Sequence, residues 1–308
     1  MSMQAKDYGK VAVIMGGDTP EREVSLLSGN AILASLLRSG VDAFAFDPAK
    51  EPIENLKQYG CARVFNIVHG KTGEDGKLQG AFEFLKIPYT GSGVMASSIG
   101  MDKYRTKLIW QALDIPVAKS QFVEKHTYQA GKYQFNLTLP VVVKPADDGS
   151  SLGFSRVYNL ADLSQALELV FAKSNKALVE EMIIGDEYTI TIFDGQVYPI
   201  IKIEAPDGEY DFEHKYYSDD TKYLCGYNLG ELQAKIEEWA LLGYHAIGAT
   251  GVARSDFMID RSGNVFFLEI NTLPGMTGHS LVPQSLASVG IDFDALCLKI
   301  LDGAGLAK

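Results

Sequence analysis

The 308-residue sequence contains only three cysteines, no signal-like leader and no long apolar run, and each absence excludes a class of protein. Cys61, Cys225 and Cys297 are far apart and odd in number, so we expect reduced thiols and neither a disulfide framework nor a cysteine metal site. No apolar stretch approaches the ~20 residues that a membrane helix requires. The polar N-terminus leads directly into a strand-like run, which predicts no signal peptide and a cytoplasmic location.

Positive charge is also scarce. The 28 lysines and arginines are outnumbered by 39 aspartates and glutamates, which gives a formal net charge of −11. Nucleic acids and anionic membranes are bound by basic surfaces, so the sequence predicts neither as a partner. A bound nucleotide needs only a few local cations, so the acidic balance is compatible with a small-molecule phosphate site.

Strand and helix alternate in the first third of the chain. This order is typical of a parallel sheet with helices on its faces, an α/β arrangement. Runs rich in β-branched and aromatic residues predict strands, and leucines and alanines at helical spacing predict helices. The strands are expected over 10–15, 43–47 and 63–68, and the helices over 21–38 and 78–85.

The middle of the chain changes character and predicts α+β structure. A helix is expected over 101–113, with Asp102 as its N-cap. Residues 205–227 have no clean period but carry six aromatic residues, which favours a functional lid over disorder. The other expected elements are strands over 140–144, 154–158 and 177–181, helices over 160–171 and 232–247, and a hairpin over 187–203 that turns at Asp194-Gly195.

A polar hairpin near the C-terminus predicts a metal site. If 261–264 form its turn, the register places Asp256 opposite Glu269 and Arg254 opposite Asn271, all on one face. Facing carboxylates repel each other unless a cation lies between them, and carboxylate and amide oxygens are ligands of the kind that Mg²⁺ uses beside phosphates. Arg254 supplies a fixed charge for a developing negative one. The other face is expected to be apolar, which favours a metal site over a hairpin that only faces solvent: Phe257, Ile259, Phe266, Leu268 and Ile270.

Two short motifs match other functions but occur in the wrong context. Residues 149–153 match G-x-S-x-G, yet they join two predicted strands, whereas a nucleophile elbow joins a strand to a helix. A loop of small residues between strands is better suited to cover phosphates with backbone N–H groups. Residues 91–96 match the dinucleotide fingerprint after a poor strand, so a dinucleotide-dependent oxidoreductase rests on one weak match.

A larger set of motifs occurs in order along the chain. They are Gly16-Gly17, Glu21-Arg22-Glu23-Val24-Ser25, His69-Gly70, Gly73-Glu74-Asp75-Gly76, Gln79-Gly80, Tyr89-Thr90-Gly91-Ser92-Gly93, Met101-Asp102-Lys103, Val143-Lys144-Pro145, Gly149-Ser150-Ser151, Lys215-Tyr216, Arg254 with Asp256, Glu269-Ile270-Asn271, Pro274-Gly275-Met276 and His279-Ser280-Leu281. Over about residues 10–301 the chain resembles the D-alanine–D-alanine ligases of the ATP-grasp superfamily. The resemblance implies an N-terminal α/β domain (1–100) and a two-lobed ATP-grasp fold (101–185 and 186–308), with a lid at about 205–222.

The resemblance also implies an activity, the ATP-dependent joining of two D-alanines for peptidoglycan synthesis. ATP phosphorylates the carboxylate of one D-alanine, and the amine of the second attacks the acyl phosphate. Asp256, Glu269 and Asn271 are expected to hold two Mg²⁺ (or Mn²⁺) ions that bridge the phosphates. Arg254 and the backbone of Gly275 are expected to stabilise the tetrahedral oxyanion. The family further implies a homodimer.

The remaining site residues follow from the same resemblance. Glu21, with His69 nearby, is expected to bind the first D-alanine, and Ser280 and Leu281 are expected to bind the carboxylate of the second. The family implies that Ser150 and Tyr216 form a hydrogen-bonded trio with Glu21 that pins the lid, and a tyrosine at position 216 favours a dipeptide product. Contacts with the nucleotide or with substrate in the closed site are implied for Lys103, Lys144, Ser150, Ser151, Glu180, Glu181, Ile183, Glu187 and Lys215. Relatives commonly carry lysine where this chain has Glu181, which leaves the adenine contact of that side chain open.

Two other functions stay open at this point. Another ATP-grasp ligase would share the nucleotide and metal residues but not the full substrate set of Glu21, Ser150, Tyr216 and Ser280. A non-enzymatic nucleotide-binding module is disfavoured because Lys103, Lys144, Arg254 and the metal ligands are all present.

Overall fold

The structure is a computed structural model that describes residues 5–149, 153–206 and 220–308. Its first sheet contains three parallel strands in the order β2-β1-β3, as the alternation of strand and helix predicted. All four residues of the central strand β1 are buried, which is usual for a parallel strand covered on both faces. The elements of this region are β1 (Val11–Ile14), α1 (Arg22–Arg38), β2 (Ala43–Phe46), β3 (Arg63–Asn66), α2 (Lys77–Leu85) and α3 (Val94–Met101).

The second sheet is antiparallel, in the order β4-β7-β5-β6. Residues that lie opposite each other in neighbouring strands project from the same face of the sheet. The register of β5 with β7 therefore assigns their side chains to its two faces. Val143 and Val179 pack against helix α5, whereas Lys144 and Glu180 belong to the opposite face. The elements are α4 (Lys103–Gln111), β4 (Ser120–Glu124), β5 (Val141–Pro145), β6 (Ser155–Val157), α5 (Leu163–Phe171) and β7 (Lys176–Glu181).

The third sheet is also antiparallel, in the order β11-β10-β8-β12-β13, with β9 on the far end of β8. Helices α4 and α6 contact it on one face and form a core with Tyr188, Ile190, Phe257 and Phe267. The polar side chains of β12 and β13 are left on the other face. The elements are β8 (Gly185–Phe193), β9 (Gln196–Val197), β10 (Ile201–Glu204), β11 (Lys222–Cys225), α6 (Gln233–Ala246), β12 (Val252–Asp260) and β13 (Val265–Asn271).

Several parts of the chain differ from the sequence prediction, and helix α3 was not among the expected elements. Lys222–Cys225 was expected to belong to an irregular segment, but it forms the edge strand β11 because it pairs with β10. Its residues are mostly exposed, so they lack the apolar pattern that would have predicted a strand. The helix expected over 101–113 begins at Lys103, because Met101 ends helix α3 and Asp102 caps α4 by accepting from the Arg105 N–H. Strand β4 was not predicted at all.

The end of the chain returns to the first sheet. Two helices that the sequence did not predict, α7 (Leu281–Ala287) and α8 (Phe293–Asp302), follow the hairpin. Leu296 and Ile300 of α8 share a buried cluster with Ile32 and Leu36 of α1. The expected domain boundaries stay a prediction, although the three sheets follow the same division to within one residue of β8. Across the described ranges, no helix is long and apolar enough to span a membrane.

The hairpin of β12 and β13 has the predicted pairing at its polar end. Asp256 lies opposite Glu269, and Arg254 lies opposite Asn271. The assumed turn is wrong, because Val265 lies opposite Ile259 and the loop is one residue longer. The carboxylate of Asp260 holds that loop by accepting the N–H groups of Ser262 and Asn264 at 2.8 Å.

A β-bulge reconciles the longer turn with the pairing at the polar end. The register shifts between Asp256 and Phe257, and Leu268 is the extra residue of the bulged strand. Phe267 therefore enters the core and is 1% exposed, whereas Phe266 and Leu268 are partly exposed. The sequence prediction had buried Phe266 and Leu268 in place of Phe267, because it assumed unbroken alternation.

Candidate active site

One cavity collects side chains from all three sheets and from the segment after the hairpin. It is lined by residues that follow β1 and β3, by the start of α4, by the β5–β6 loop and by the polar face of β12 and β13. Residues far apart in sequence thus meet in one place. The predicted site residues on its walls are Glu21, His69, Lys103, Arg254, Glu269, Asn271, Gly275, Ser280 and Leu281.

Glu21 lies at the start of α1 and is 3% exposed. Its carboxylate packs between two glycines: a Cβ added to Gly70 would lie 2.2 Å from Oε2, and one added to Gly149 would lie 2.8 Å from Oε1. Gly70 also has a φ of +81°, which disfavours other residues. The close approach brings Glu21 next to the β5–β6 loop.

His69 is buried in a polar wall beside Glu21. Its Nδ1 lies 3.5 Å from Glu74 Oε1, and its Nε2 lies 3.4 Å from Ser28 Oγ. Ser28 Oγ in turn accepts from the N–H of Met276 at 3.2 Å, next to Gly275. Sequence reasoning assigned no role to Glu74, although it belongs to one of the motifs. Its place within a glycine-rich loop three residues beyond Lys71 was the available signal.

The hairpin carboxylates are balanced by cations. Arg254 grips Asp256 with both ends of its guanidinium, Nε to Oδ1 at 2.9 Å and Nη2 to Oδ2 at 2.8 Å, and Thr189 Oγ1 donates to Oδ1 at 2.6 Å. Lys103 Nζ lies 3.1 Å from Glu269 Oε2 and donates to the carbonyl of Asp148 at 2.6 Å. Burial lowers the pKa of Lys103, but the attraction of Glu269 outweighs it, so the net shift of this pKa is upward. Lys103 is therefore charged and joins the β5–β6 loop to β13.

The donor set fits a divalent cation. Asp256 and Glu269 lie directly opposite each other, and Asn271 is two residues further along β13. Asn271 Oδ1 accepts from the N–H of Leu273 at 2.8 Å, which fixes the amide. Within the described residues there is no cluster of three or more His, Cys, Asp and Glu residues arranged for a metal, because the third ligand here is an amide oxygen. Each carboxylate already lies beside a side-chain cation, and a bound metal ion would neutralise the carboxylates in place of these side chains.

A second charged cluster lies on the face of β5 and β7 that is opposite to α5. Glu180 is 2% exposed and lies between two ammonium groups: Oε1 is 2.6 Å from Lys107 Nζ, and Oε2 is 2.6 Å from Lys144 Nζ. Burial raises the pKa of Glu180, but the opposing effect of the two lysines is larger, so the net shift lowers this pKa to about 2. Lys144 and Glu180 were predicted site residues; Lys107 was not. Its spacing of four residues from Lys103 on one helix was the signal that could have found it.

The other predicted nucleotide residues lie on β7, on β8 and in the link between these strands. Glu181 projects to the face opposite to Glu180, where its Oε1 is 3.4 Å from the Thr138 N–H, so its side chain is turned away from Lys144. Glu187 lies opposite Met258 on the face of the third sheet that carries Asp256. Ile183 is partly exposed in the link between β7 and β8.

Ser280 and Gly275 adjoin each other at the far wall of the cavity. A Cβ added to Gly275 would lie 2.8 Å from Ser280 Oγ. Ser280 Oγ accepts from the N–H of Thr277 at 2.8 Å, and Leu281 begins α7 directly after it. Four predicted residues, Ser150, Ser151, Lys215 and Tyr216, lie outside the residues that the structure describes.

Comparisons with known proteins agree with this geometry. The family "D-ala D-ala ligase C-terminus" matches residues 109–302, and "D-ala D-ala ligase N-terminus" matches residues 47–92. A D-alanine–D-alanine ligase from Aromatoleum aromaticum is 46% identical over 301 residues, which is 97% of each chain. One from Acinetobacter baylyi is 45% identical over 300 residues, which is 96% of each chain.

Solved structures show the same architecture. The D-alanine–D-alanine ligase from Bacillus anthracis complexed with ATP is 32% identical, with a TM-score of 0.84 over 96% of this chain and 97% of that one. The VanG D-Ala:D-Ser ligase from Enterococcus faecalis is 29% identical, with a TM-score of 0.81 over 95% and 98%. The expected fold, a parallel α/β region followed by a two-lobed ATP-grasp fold, is confirmed. The chain belongs to the D-alanine–D-alanine ligase family.

Proposed function

We propose that this chain is an ATP-dependent ligase that joins two molecules of D-alanine and releases ADP and phosphate. The observation that carries the proposal is the single cavity that brings Glu21, Lys103, Glu269 and Ser280 together from four distant parts of the chain. Membership of the family and the likeness to an ATP-bound relative support ATP as the phosphoryl donor. The dipeptide would serve peptidoglycan synthesis.

The first D-alanine is positioned by the buried carboxylate of Glu21. Glu21 is 3% exposed and its carboxylate lies beside Gly70 and Gly149, so it can attract the ammonium group of the substrate inside the cavity. His69 lines the same wall and keeps its orientation through Glu74 and Ser28. This arrangement leaves the substrate carboxylate directed towards Lys103, where phosphoryl transfer takes place.

Phosphoryl transfer depends on charge neutralisation and alignment. Lys103 and Lys144 balance the phosphates, and Glu187 and the segment from Glu180 to Ile183 receive the ribose and adenine. Asp256, Glu269 and Asn271 would hold two Mg²⁺ or Mn²⁺ ions, which supply further positive charge at the transferred phosphoryl group. The backbone of Glu181 is the part that is available to the nucleotide, because its side chain is on the other face.

The second step forms the peptide bond. The amine of the second D-alanine attacks the acyl phosphate, its carboxylate accepting from Ser280 Oγ and from the N–H of Leu281. Arg254 and the N–H of Gly275 stabilise the oxyanion. Arg254 can turn towards the oxyanion when another cation neutralises Asp256. Ser150, Ser151, Lys215 and Tyr216 are proposed for the loop and lid on the strength of the sequence resemblance alone.

The activity is tested by measuring ADP release with ATP, Mg²⁺ and one amino acid or hydroxy acid at a time. We expect release with D-alanine, accompanied by D-alanyl-D-alanine in the mass spectrum, and none with L-alanine alone. D-serine and D-lactate, each mixed with D-alanine, test the second site. A mixed product that outcompetes D-alanyl-D-alanine would contradict the assignment of the second substrate.

We also propose that the chain acts as a homodimer in the cytoplasm. The family resemblance supports both the dimer and the location. Light scattering at micromolar concentration tests the first point, since a mass of one chain would contradict it.

A further inference from the structure

Lys107 is the most deeply buried cation of the described residues, and neither step of the proposed reaction uses it. Its side chain is 1% exposed, inside a core otherwise made of residues such as Trp110 and Phe267. Burying an ammonium group costs several kcal/mol unless charged partners compensate, so the sequence retains this lysine against a large opposing term. Its partners therefore indicate what it does.

Lys107 connects two sheets. Its Nζ lies 2.6 Å from Glu180 Oε1, on β7 of the second sheet, and donates to the carbonyl of Phe267 at 3.3 Å, on β13 of the third sheet. Phe267 lies at the bulge, two residues before Glu269. A single side chain thus ties the strand with the predicted adenine segment to the strand with two predicted metal ligands.

Lys107 also determines the charge that Lys144 presents. Glu180 has one negative charge and two cations, each 2.6 Å from a different oxygen. Because Lys107 is enclosed and Lys144 is 16% exposed, Lys107 balances Glu180 and Lys144 remains a net cation on this face of the second sheet. Without Lys107, Glu180 would take Lys144 as its counter-ion, and this face would lose one positive charge.

We propose that Lys107 is a positioning residue for the nucleotide: by occupying Glu180 it leaves Lys144 free to neutralise phosphate, and by its bond to Phe267 it sets β7 against β13. The proposal rests on the proposed function, because the ligand concerned is ATP. Lys107 touches neither substrate in this account and acts through Glu180 and Lys144. Its loss is expected to weaken the nucleotide site selectively, since Glu21 and Ser280 line the cavity and belong to other elements than Lys107 and Glu180.

Lys107→Met removes the charge and keeps the length of the side chain. We expect the KM for ATP and the dissociation constant of Mg·ADP, measured by calorimetry, to rise by about tenfold or more, while the KM for D-alanine changes by less than about twofold. Lys107→Met/Glu180→Gln removes both members of the buried pair, keeps an acceptor oxygen at position 180 and restores Lys144 as a net cation. Mg·ADP affinity should recover by several-fold over the single variant.

The control is Lys125→Met. Lys125 follows β4 and donates to a carbonyl, that of Phe171, at 2.7 Å. Within the described part of the chain it pairs with no carboxylate. Its removal should leave both KM values unchanged. If Lys107→Met does not fold, Lys107→Gln replaces it under the same criteria, because it removes the charge and retains a donor.

A purely structural role gives a different pattern. A lower melting temperature with unchanged Mg·ADP affinity, or equal increases in the KM for ATP and for D-alanine, would overturn the proposal. So would a double variant that binds Mg·ADP no better than the single one. Failure of the unaltered protein to bind Mg·ADP or to consume ATP with D-alanine would refute the proposed function itself, whereas an active unaltered protein with an indifferent Lys107→Met refutes only this inference.

Discussion

Glu180 and the Asp256–Glu269 pair are both acidic centres that basic side chains balance, but they differ in burial. Glu180 is enclosed and lies between two lysines. Asp256 pairs with Arg254 and Glu269 with Lys103, and Glu269 is 28% exposed at the cavity wall. An enclosed carboxylate cannot exchange its buried partner, whereas a carboxylate at a cavity wall can accept a metal ion. The first centre is built to stay in place and the second to change partners.

The largest effect is expected at the exchangeable centre. Asp256→Ala should slow D-alanine-dependent phosphate release on the order of 10³-fold, which corresponds to a barrier raised by several kcal/mol. The reason is that the proposed metal site loses a ligand and Arg254 loses the carboxylate that it grips. Asp260→Asn, at the turn of the same hairpin, is the control and should keep turnover within about twofold, because it changes only the loop and not the polar end. Equal losses in both variants would show that the hairpin matters for folding alone.

The fixed centre should show a loss of stability. Glu180→Gln leaves two buried lysines without their anion and should lower the free energy of unfolding by about 3 kcal/mol, measured by urea denaturation at pH 7. The combined variant Lys107→Met/Glu180→Gln removes charges of both signs and should lose less than Glu180→Gln. If the loss of unfolding free energy in the double variant equals the sum of the losses in Lys107→Met and Glu180→Gln, the two residues are not coupled and the prediction is wrong.

The pH dependence sharpens the same contrast. The two lysines hold the pKa of Glu180 at about 2, below its ordinary value of 4.5, so the folded state binds this proton less readily than the unfolded state. The stabilisation is therefore complete above the ordinary pKa and is lost as the pH falls towards the folded one. The difference in unfolding free energy between the unaltered protein and Glu180→Gln should be constant above about pH 5 and shrink below it. A difference that grows on acidification would reverse the sign and refute the assignment.

The smallest effect is expected for an ion pair on the surface. Lys235 and Glu238 lie 2.9 Å apart on α6, with 49% and 63% of their side chains exposed. Solvent screens such a pair, so Lys235→Ala should leave the urea midpoint and turnover unchanged within error. A shift in the urea midpoint as large as that of Glu180→Gln would show that the difference in burial does not explain why the buried and the exposed ion pairs differ in their contribution to stability.

Most of the fold was predictable where local pattern and burial agree. The strands β1, β2 and β3, helices α1 and α2 and the hairpin of β12 and β13 were all predicted within a few residues. The elements that were missed, α3, β4, β11, α7 and α8, depend on partners distant in sequence. Lys222–Cys225 is a strand only because β10 pairs with it, and α8 is buried only because α1 covers it.

The candidate site was predicted less evenly. Asp256 and Glu269 were placed opposite each other correctly, but through two errors that cancel: a turn assumed one residue too short and a bulge at Leu268 that no local signal announces. Lys107 was missed because lysine in an amphipathic helix is ordinarily exposed. Only the approach of β7 from another sheet supplies the carboxylate that makes its burial tolerable.

The sequence by itself determined the family, the alternating strands and helices of the first third and the residue types of the candidate site: carboxylates, an amide, cations and glycines. The tertiary structure decided which charges face one another. It placed Lys103 on Glu269, both lysines on Glu180, and Glu21 between Gly70 and Gly149. The reason is that electrostatic interaction depends on distance and burial, and both are set by the packing of segments that the chain separates by tens of residues.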